Sequence, residues 1–276
     1  MTGVPVPDPS PDDLREALAW RRVPCFFYEC VASTNDVALA LASEGAASGT
    51  AVLADLQEAG RGRLGRSWWS PPGAGMYLSV VIRTAGLERH VPLLTLAAGV
   101  ALSTSLREVS GLPVELKWPN DLVIGRPWRK LAGILCEATT AGAAGAGPEA
   151  VVVGMGLNLQ RSAYPPAIAD RATSVAEECD QRITRAAIVS ATLRALDREV
   201  DRLRSGDAAG VLRDWRALAA AGLAQAPIRW RDHDGEHRGT TVGLDDGGAL
   251  LVRRAGTNSE TRIVSGEVVW EMLTRE

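Results

Sequence analysis

The sequence predicts a mixed α/β (α+β) domain, a mixed sheet with flanking helices, followed by a small all-β barrel. From residue 25 to about 222, strand-like apolar runs alternate with segments whose apolar residues recur at helical spacing. After Ala224 the helical spacing stops, and short alternating strands follow, broken by Asp-Gly, Gly-Gly and Thr-Asn turns. At 276 residues, 46% hydrophobic and 23% charged, the chain is long enough for one large core and a smaller one. We therefore expect an extension with one helix over 1–24, a main domain over 25–222 and a β domain over 225–276.

Each element has its own signal. Ser10 as N-cap, Pro11 at the first helical position and acidic residues behind it predict a helix over 10–21. FFYECVAS reads as a strand, and STNDVALALASEG as a helix capped by Ser33 or Thr34 and closed by Gly45. TAVLADLQ and MYLSVVIR are strands on either side of a Gly/Arg segment, and residues 92–109 are helical. VELKWPNDLVI reads as a hairpin turning at Pro-Asn-Asp. KLAGILCEAT and EAVVVGMGLNLQ are strands joined by the linker-like AGAAGAGP. Val189, Leu193, Leu196, Val200 and Leu203 mark an amphipathic helix over 184–204, with a shorter one over 208–221.

Several function classes are excluded early. A net charge of −3 gives no global attraction to nucleic acid or an anionic membrane. No apolar run approaches the ~20 residues that span a bilayer. The start, MTGVPVPDPSPDDLREAL, has neither the basic nor the apolar region of a secretory leader. Cys25, Cys30, Cys136 and Cys179 form no CxxC pair, which fits scattered cytoplasmic thiols. HDGEH (His233 to His237) has metal-like spacing, but it straddles an Asp-Gly turn and reads as an exposed hairpin.

The segment DLQEAGRGRLGRSWWS, residues 55–70, contains a G-x-G-x-x-G at Gly60, Gly62 and Gly65. In a dinucleotide fold those glycines would run into a helix that holds the pyrophosphate. Here they run into RSWWSPPGAGM, where two prolines and several small residues oppose a helix. What remains is a mobile loop carrying Arg61, Arg63 and Arg66, whose guanidinium forks suit carboxylate and phosphate. Lysine use points elsewhere. Of thirty basic residues only Lys117 and Lys130 are lysines, and they stand thirteen residues apart in ELKWPNDLVIGRPWRKLAGILCE. Lys117 with Asn120 and Asp121 at a hairpin tip could address a nucleotide and its magnesium; the bland alternative is ordinary turn residues.

Taken in order, STND (33–36), QEAGRGRLGRSW (57–68), KWPNDL (117–122), KLAGIL (130–135) and GMGLNL (154–159) resemble the biotin protein ligases. The resemblance covers about residues 25–220. It implies a fold related to class II aminoacyl-tRNA synthetases, with an SH3-like C-terminal domain. It also implies a reaction in two steps. Biotin and MgATP give biotinyl-5′-AMP and pyrophosphate; biotin then passes to one lysine of a biotin carboxyl carrier domain, in an acyl-CoA carboxylase or pyruvate carboxylase. Position by position, the resemblance implies that Ser33, Thr34 and Gln57 hold the biotin ureido ring and that Asn35 belongs to the biotin site. It places Arg61, Gly62 and Arg63 in a loop over biotin and its activated carboxyl, and Trp68 over the ligand. Arg66, Lys117, Asn120, Asp121 and Asn158 would serve ATP. Lys130, with Arg63, would be catalytic, stabilising the carboxylate and α-phosphate; the direct magnesium ligands are left open. Only about 24 residues precede the first core strand, too few for the helix-turn-helix of repressor-type members, so we expect a ligase without operator binding. No nucleic acid or membrane partner is expected; a monomer and a weak homodimer both remain open. The rival readings are a lipoate or octanoate ligase and a non-catalytic biotin sensor.

Overall fold

Among the described residues, seven strands form one mixed sheet and five more form an antiparallel one. The computed structural model describes residues 8, 11–139, 147–223, 225–257, 259–266 and 268–271. The expected Ser10 cap, residues 141–146 of the linker and Asn258 of the last turn lie outside them.

The chain opens with α1 (Asp12–Ala17), capped by Pro11 and shorter than the stretch 10–21 expected. Beyond it the Trp20 indole donates to Ser190 Oγ at 2.9 Å and Arg21 donates to the Gly49 carbonyl at 2.5 Å. Tertiary bonds take over where propensity alone would have continued the helix. Then follow β1 (Cys25–Val31), α2 (Thr34–Ser43), β2 (Ala51–Gln57), β3 (Gly75–Arg83), α3 (Leu94–Ser110), β4 (Glu115–Lys117) and β5 (Asp121–Ile124). After β6 (Arg129–Ala138) and β7 (Ala150–Asn158) come α4 (Val175–Glu178), α5 (Arg185–Arg204), α6 (Ala208–Leu218) and α7 (Ala220–Leu223). The short α4 has no clear sequence signal, and the helix expected over 208–221 is interrupted at Ala219. The tail supplies β8 (Pro227–Asp232), β9 (Gly235–Leu244), β10 (Leu250–Arg254), β11 (Glu260–Ile263) and β12 (Val268–Trp270).

The first sheet runs β1-β2-β3-β7-β6-β5-β4, with β1 and β2 parallel and the other neighbours antiparallel. Alternation along the strands sends residues to two cores. Leu53, Met76, Leu78, Val80, Val153, Met155 and Leu157 pack with α3 and α5. Val52, Ala54, Val81 and Val152 pack under α2 with Val37 and Ala38. This is a helix–sheet–helix sandwich, and the end of the α2 face that α2 leaves uncovered holds the site.

The second sheet, ordered β11-β10-β9-β8-β12, is consistent with an SH3-like barrel. It touches the first through the buried Trp118, whose indole donates to the Gly248 carbonyl at 3.0 Å. HDGEH lies at the β8–β9 hairpin, as expected. Its His233 and Asp234 are exposed, as is Asp232 just before it, and His237 points back onto Asp232 Oδ1 at 2.7 Å.

Candidate active site

Strand register builds the floor of the site. Lys117, Asp121, Gly133, Gly156 and Tyr77 are successive partners across β4, β5, β6, β7 and β3. Two glycines in the middle of that row leave the sheet bare, and the Trp68 ring lies there. A Cβ on Gly156 would stand 2.6 Å from the indole, and one on Gly133 would stand 3.2 Å away. The Trp68 indole N–H is buried without a hydrogen-bond partner among the described residues.

The Gly/Arg segment crosses above this floor as a small hairpin. The Gly62 amide donates to the Arg66 carbonyl at 2.7 Å, and the Trp68 amide to the Gly60 carbonyl at 2.8 Å. Leu64 and Gly65 make the tip in left-handed conformation, with φ of 58° and 73°. No helix follows the glycines, so the dinucleotide reading is excluded by geometry as well as by sequence. Where sequence predicts a mobile loop, the structure holds it down. Arg61 grips both Asp36 oxygens, at 2.8 and 2.6 Å, and Glu137 at 3.0 Å. The bond to Asp36, with Glu137 adding to it, raises the Arg61 pKa above its ordinary value. Arg63 is half-buried, and burial lowers its pKa while Asp121 opposes the shift. Its Nη1 donates to Asn120 Oδ1 at 3.1 Å, a neutral acceptor that leaves its charge available.

One end of the cleft is polar and uncharged. Ser33 is the N-cap of α2 but makes no capping hydrogen bond; its buried side chain lines the cleft instead. The Thr34 amide and hydroxyl both lie within donor reach of Gln57 Oε1, at 2.9 and 3.0 Å. Gln57 Nε2 in turn donates to Ser70 Oγ at 2.9 Å. The Ser79 hydroxyl is 2.7 Å from Thr34 Oγ1 and 2.6 Å from Asn35 Oδ1, and gives its proton to one of them at a time.

The other end is ionic. Lys130 Nζ pairs with Asp121 Oδ1 at 2.6 Å and lies 5.4 Å from the centre of the Trp68 ring. Lys117 Nζ stands 4.0 Å from the other Asp121 oxygen and 5.2 Å from the Trp270 ring, so the β domain helps to wall the cleft. Asn120 closes the hairpin by donating to the Ile134 carbonyl at 2.9 Å. Asn158 donates to the Thr173 carbonyl at 2.9 Å, and the Lys130 backbone donates to the Arg171 carbonyl at 2.8 Å and accepts from the Thr173 amide at 2.9 Å, so the segment after β7 forms a second wall. Arg66 is exposed at the mouth.

All fourteen residues singled out from the sequence border this one cleft of about 780 Å³. Among the described residues its lining carries six cations (Arg61, Arg63, Arg66, Lys117, Lys130 and Arg171) against one carboxylate, Asp121, and even with Arg61 neutralised by Asp36 and Glu137 just outside the lining the cations remain in excess. A chain of net charge −3 has therefore concentrated positive charge at one place, the arrangement that draws in an anion. Sequence reading missed Ser79, Glu137, Gly156 and Arg171. Period-2 alternation from Gly154 to Asn158 was the available signal for Gly156. Ser79, Glu137 and Arg171 had none beyond standing in or near such runs.

The model of the Biotin/lipoate A/B protein ligase family matches residues 27–158, and the chain belongs to that family. It is 37% identical over 239 residues to the Biotin--[acetyl-CoA-carboxylase] ligase of Mycobacterium tuberculosis, covering 81% of this chain and 84% of that one. It is 32% identical over 228 residues to the Bifunctional ligase/repressor BirA of Bacillus subtilis, covering 82% of this chain and 68% of that one. The structure of the biotin protein ligase from Aquifex aeolicus in complex with biotin and ATP, 26% identical, superposes with a TM-score of 0.75 over 89% of this chain and 97% of that one. The family description names both biotin and lipoate, while the Mycobacterium tuberculosis and Aquifex aeolicus proteins are named for biotin alone.

Proposed function

We propose that this chain is an ATP-dependent biotin protein ligase. A biotin carboxylate oxygen attacks the α-phosphorus of ATP, the bond to the β-phosphate breaks, and pyrophosphate leaves biotinyl-5′-adenylate in the cleft. The ε-amine of one carrier-domain lysine then attacks the acyl carbon and expels AMP. The carrying observation is the polarity of the cleft: an uncharged hydrogen-bonding end built on Thr34, Gln57 and Ser33 runs into a strongly cationic end. The first suits a ureido ring. The second offsets the repulsion between two anions brought together and stabilises charge developing at phosphorus.

In this reading Ser33, Thr34, Asn35 and Gln57 form the biotin end, and Trp68 with the 61–63 loop shields the adenylate from water. Lys130 and Arg63 are the catalytic cations. Lys117, Asn120, Asp121, Asn158 and Arg66 serve the nucleotide. The donor set also fits magnesium carried in on the phosphates, since such an ion needs only one or two protein oxygens. Asp121, the one carboxylate among the described lining residues, would hold it, and the bound ion would neutralise phosphate charge. The acceptor is a biotin carboxyl carrier domain. Among the described residues no helix is long and apolar enough to cross a membrane. The four cysteines are free, which suits the reducing cytoplasm.

ATP–pyrophosphate exchange with biotin, lipoate and octanoate supplied separately tests the reading. Exchange with biotin alone is expected. Exchange with lipoate or octanoate instead would overturn the substrate, and silence with all three would overturn the activity. The polar atoms of Thr34 and Gln57 argue against an aliphatic acid, whose chain would leave them unpaired.

A further inference from the structure

Glu137 has no part in the reading above. It follows the apolar run LAGILC on β6, where its Oε2 accepts from Asn35 Nδ2 at 2.6 Å and from Arg61 Nη2 at 3.0 Å. Arg61 is thereby held between a carboxylate on α2 and one on the sheet. Charge-assisted bonds of this fork geometry are the strong kind. Two carboxylates around one guanidinium also leave no net positive charge to offer an anion. Arg63, two residues further on, makes no ion pair among the described residues and bonds only to a neutral amide oxygen.

The grip continues beyond Arg61. From Glu137 a string of polar side chains passes through Asn35, Ser79, Thr34 and Gln57 to Ser70, whose hydroxyl lies 3.1 Å from the Trp68 carbonyl. The loop is therefore tied down on both arms, by Arg61 on its way out and by Ser70 on its way back. We infer that Glu137 is a positioning residue that latches the Gly/Arg loop over the cleft through Arg61, so that Arg61 is the latch arm and Arg63 alone of the pair faces the ligand's anion. The inference rests on the ligase reading for what the loop covers, but the latch itself can be measured without ligand.

The experiment uses the full chain without ligand. Trypsin cutting after Arg63 is timed by mass spectrometry in the wild type, Glu137→Gln, Arg61→Met and the double variant. Glu137→Gln is expected to speed the cut by about fivefold, Arg61→Met by at least as much because it also loses Asp36, and the double to match Arg61→Met, because Glu137 acts on the loop through Arg61. Equal rates in the wild type and Glu137→Gln, or single effects that multiply in the double, would overturn the latch. Should Glu137→Gln lower the melting temperature and open cuts throughout the chain, Arg61→Met decides, since it leaves the Glu137–Asn35 bond in place. An unchanged cut after Arg63 in that variant refutes the proposal. The second readout is the escape of preformed biotinyl adenylate, expected to be several-fold faster in Glu137→Gln while the KM for ATP stays within about twofold. Unchanged escape would also overturn the latch. A wild-type chain that forms no adenylate would sink the ligase reading, and the tryptic rates would still decide the latch.

Discussion

Gly156→Ala tests the bare floor of the cleft most directly. The three atoms that a new Cβ would meet all belong to the Trp68 indole, two of them at 2.6 Å and one at 3.0 Å, and none belongs to backbone. Overpacking of this kind costs about 1–3 kcal/mol. The ring rather than the sheet should yield, because Trp68 hangs from a loop while Gly156 is held in register between Gly133 and Tyr77. Lifting the ring also forfeits its cation–π contact with Lys130, worth about 0.5–1 kcal/mol at a half-exposed site. In a chain of this size each kcal/mol lowers the melting temperature by about 2–4 °C. The assay is a double-mutant cycle in thermal melting, with Trp68 fluorescence as a local probe. Gly156→Ala should destabilise the wild type and add almost nothing in a Trp68→Ala background, where the clash is gone. An equal cost in both backgrounds would refute the argument, since the penalty would then come from the strand and not from the ring. Biotin binding should weaken in the single variant by the same free energy, about tenfold for each 1.4 kcal/mol.

The remaining predictions concern charge and access. Lys130→Ala should melt within about 3 °C of the wild type, because half-exposed ion pairs are worth at most about 1 kcal/mol, yet lose most pyrophosphate exchange; near-normal turnover would remove Lys130 from its role. Arg63→Gly should speed adenylate escape and raise stray labelling of other proteins, and an unchanged escape rate would count against the shielding loop. Burial pushes the Cys136 thiol up to about 11, so it stays a thiol at pH 8, whereas Cys30 is exposed. Thiol titration at pH 8 should therefore modify the exposed Cys30 before the half-buried Cys136, whose labelling should accelerate as the pH approaches 11; equal rates at pH 8 in the native protein would contradict the raised pKa.

What the sequence by itself determined is whatever short-range pattern encodes. Apolar runs and period-3.6 spacing located the strands of the first sheet and the longer helices, the turn-broken tail marked a second sheet without bounding its strands, and the two prolines behind the glycines ruled out a phosphate-binding helix. The scarcity of lysine marked Lys117 and Lys130, and the order of five short motifs identified the family. Each of these signals lies within a few residues, where backbone sterics and side-chain alternation act directly. Tertiary structure alone decided the rest. That Gly133 and Gly156 are neighbours follows from antiparallel pairing of β6 with β7 across the linker, and no local rule sets that register. That Arg61 is committed to two carboxylates follows from partners 25 and 76 residues away, brought together by α2 and β6. Three arginines within six residues look interchangeable along a chain. Only in space does one acquire two counter-charges and another a neutral amide, and that difference of environment divides their work.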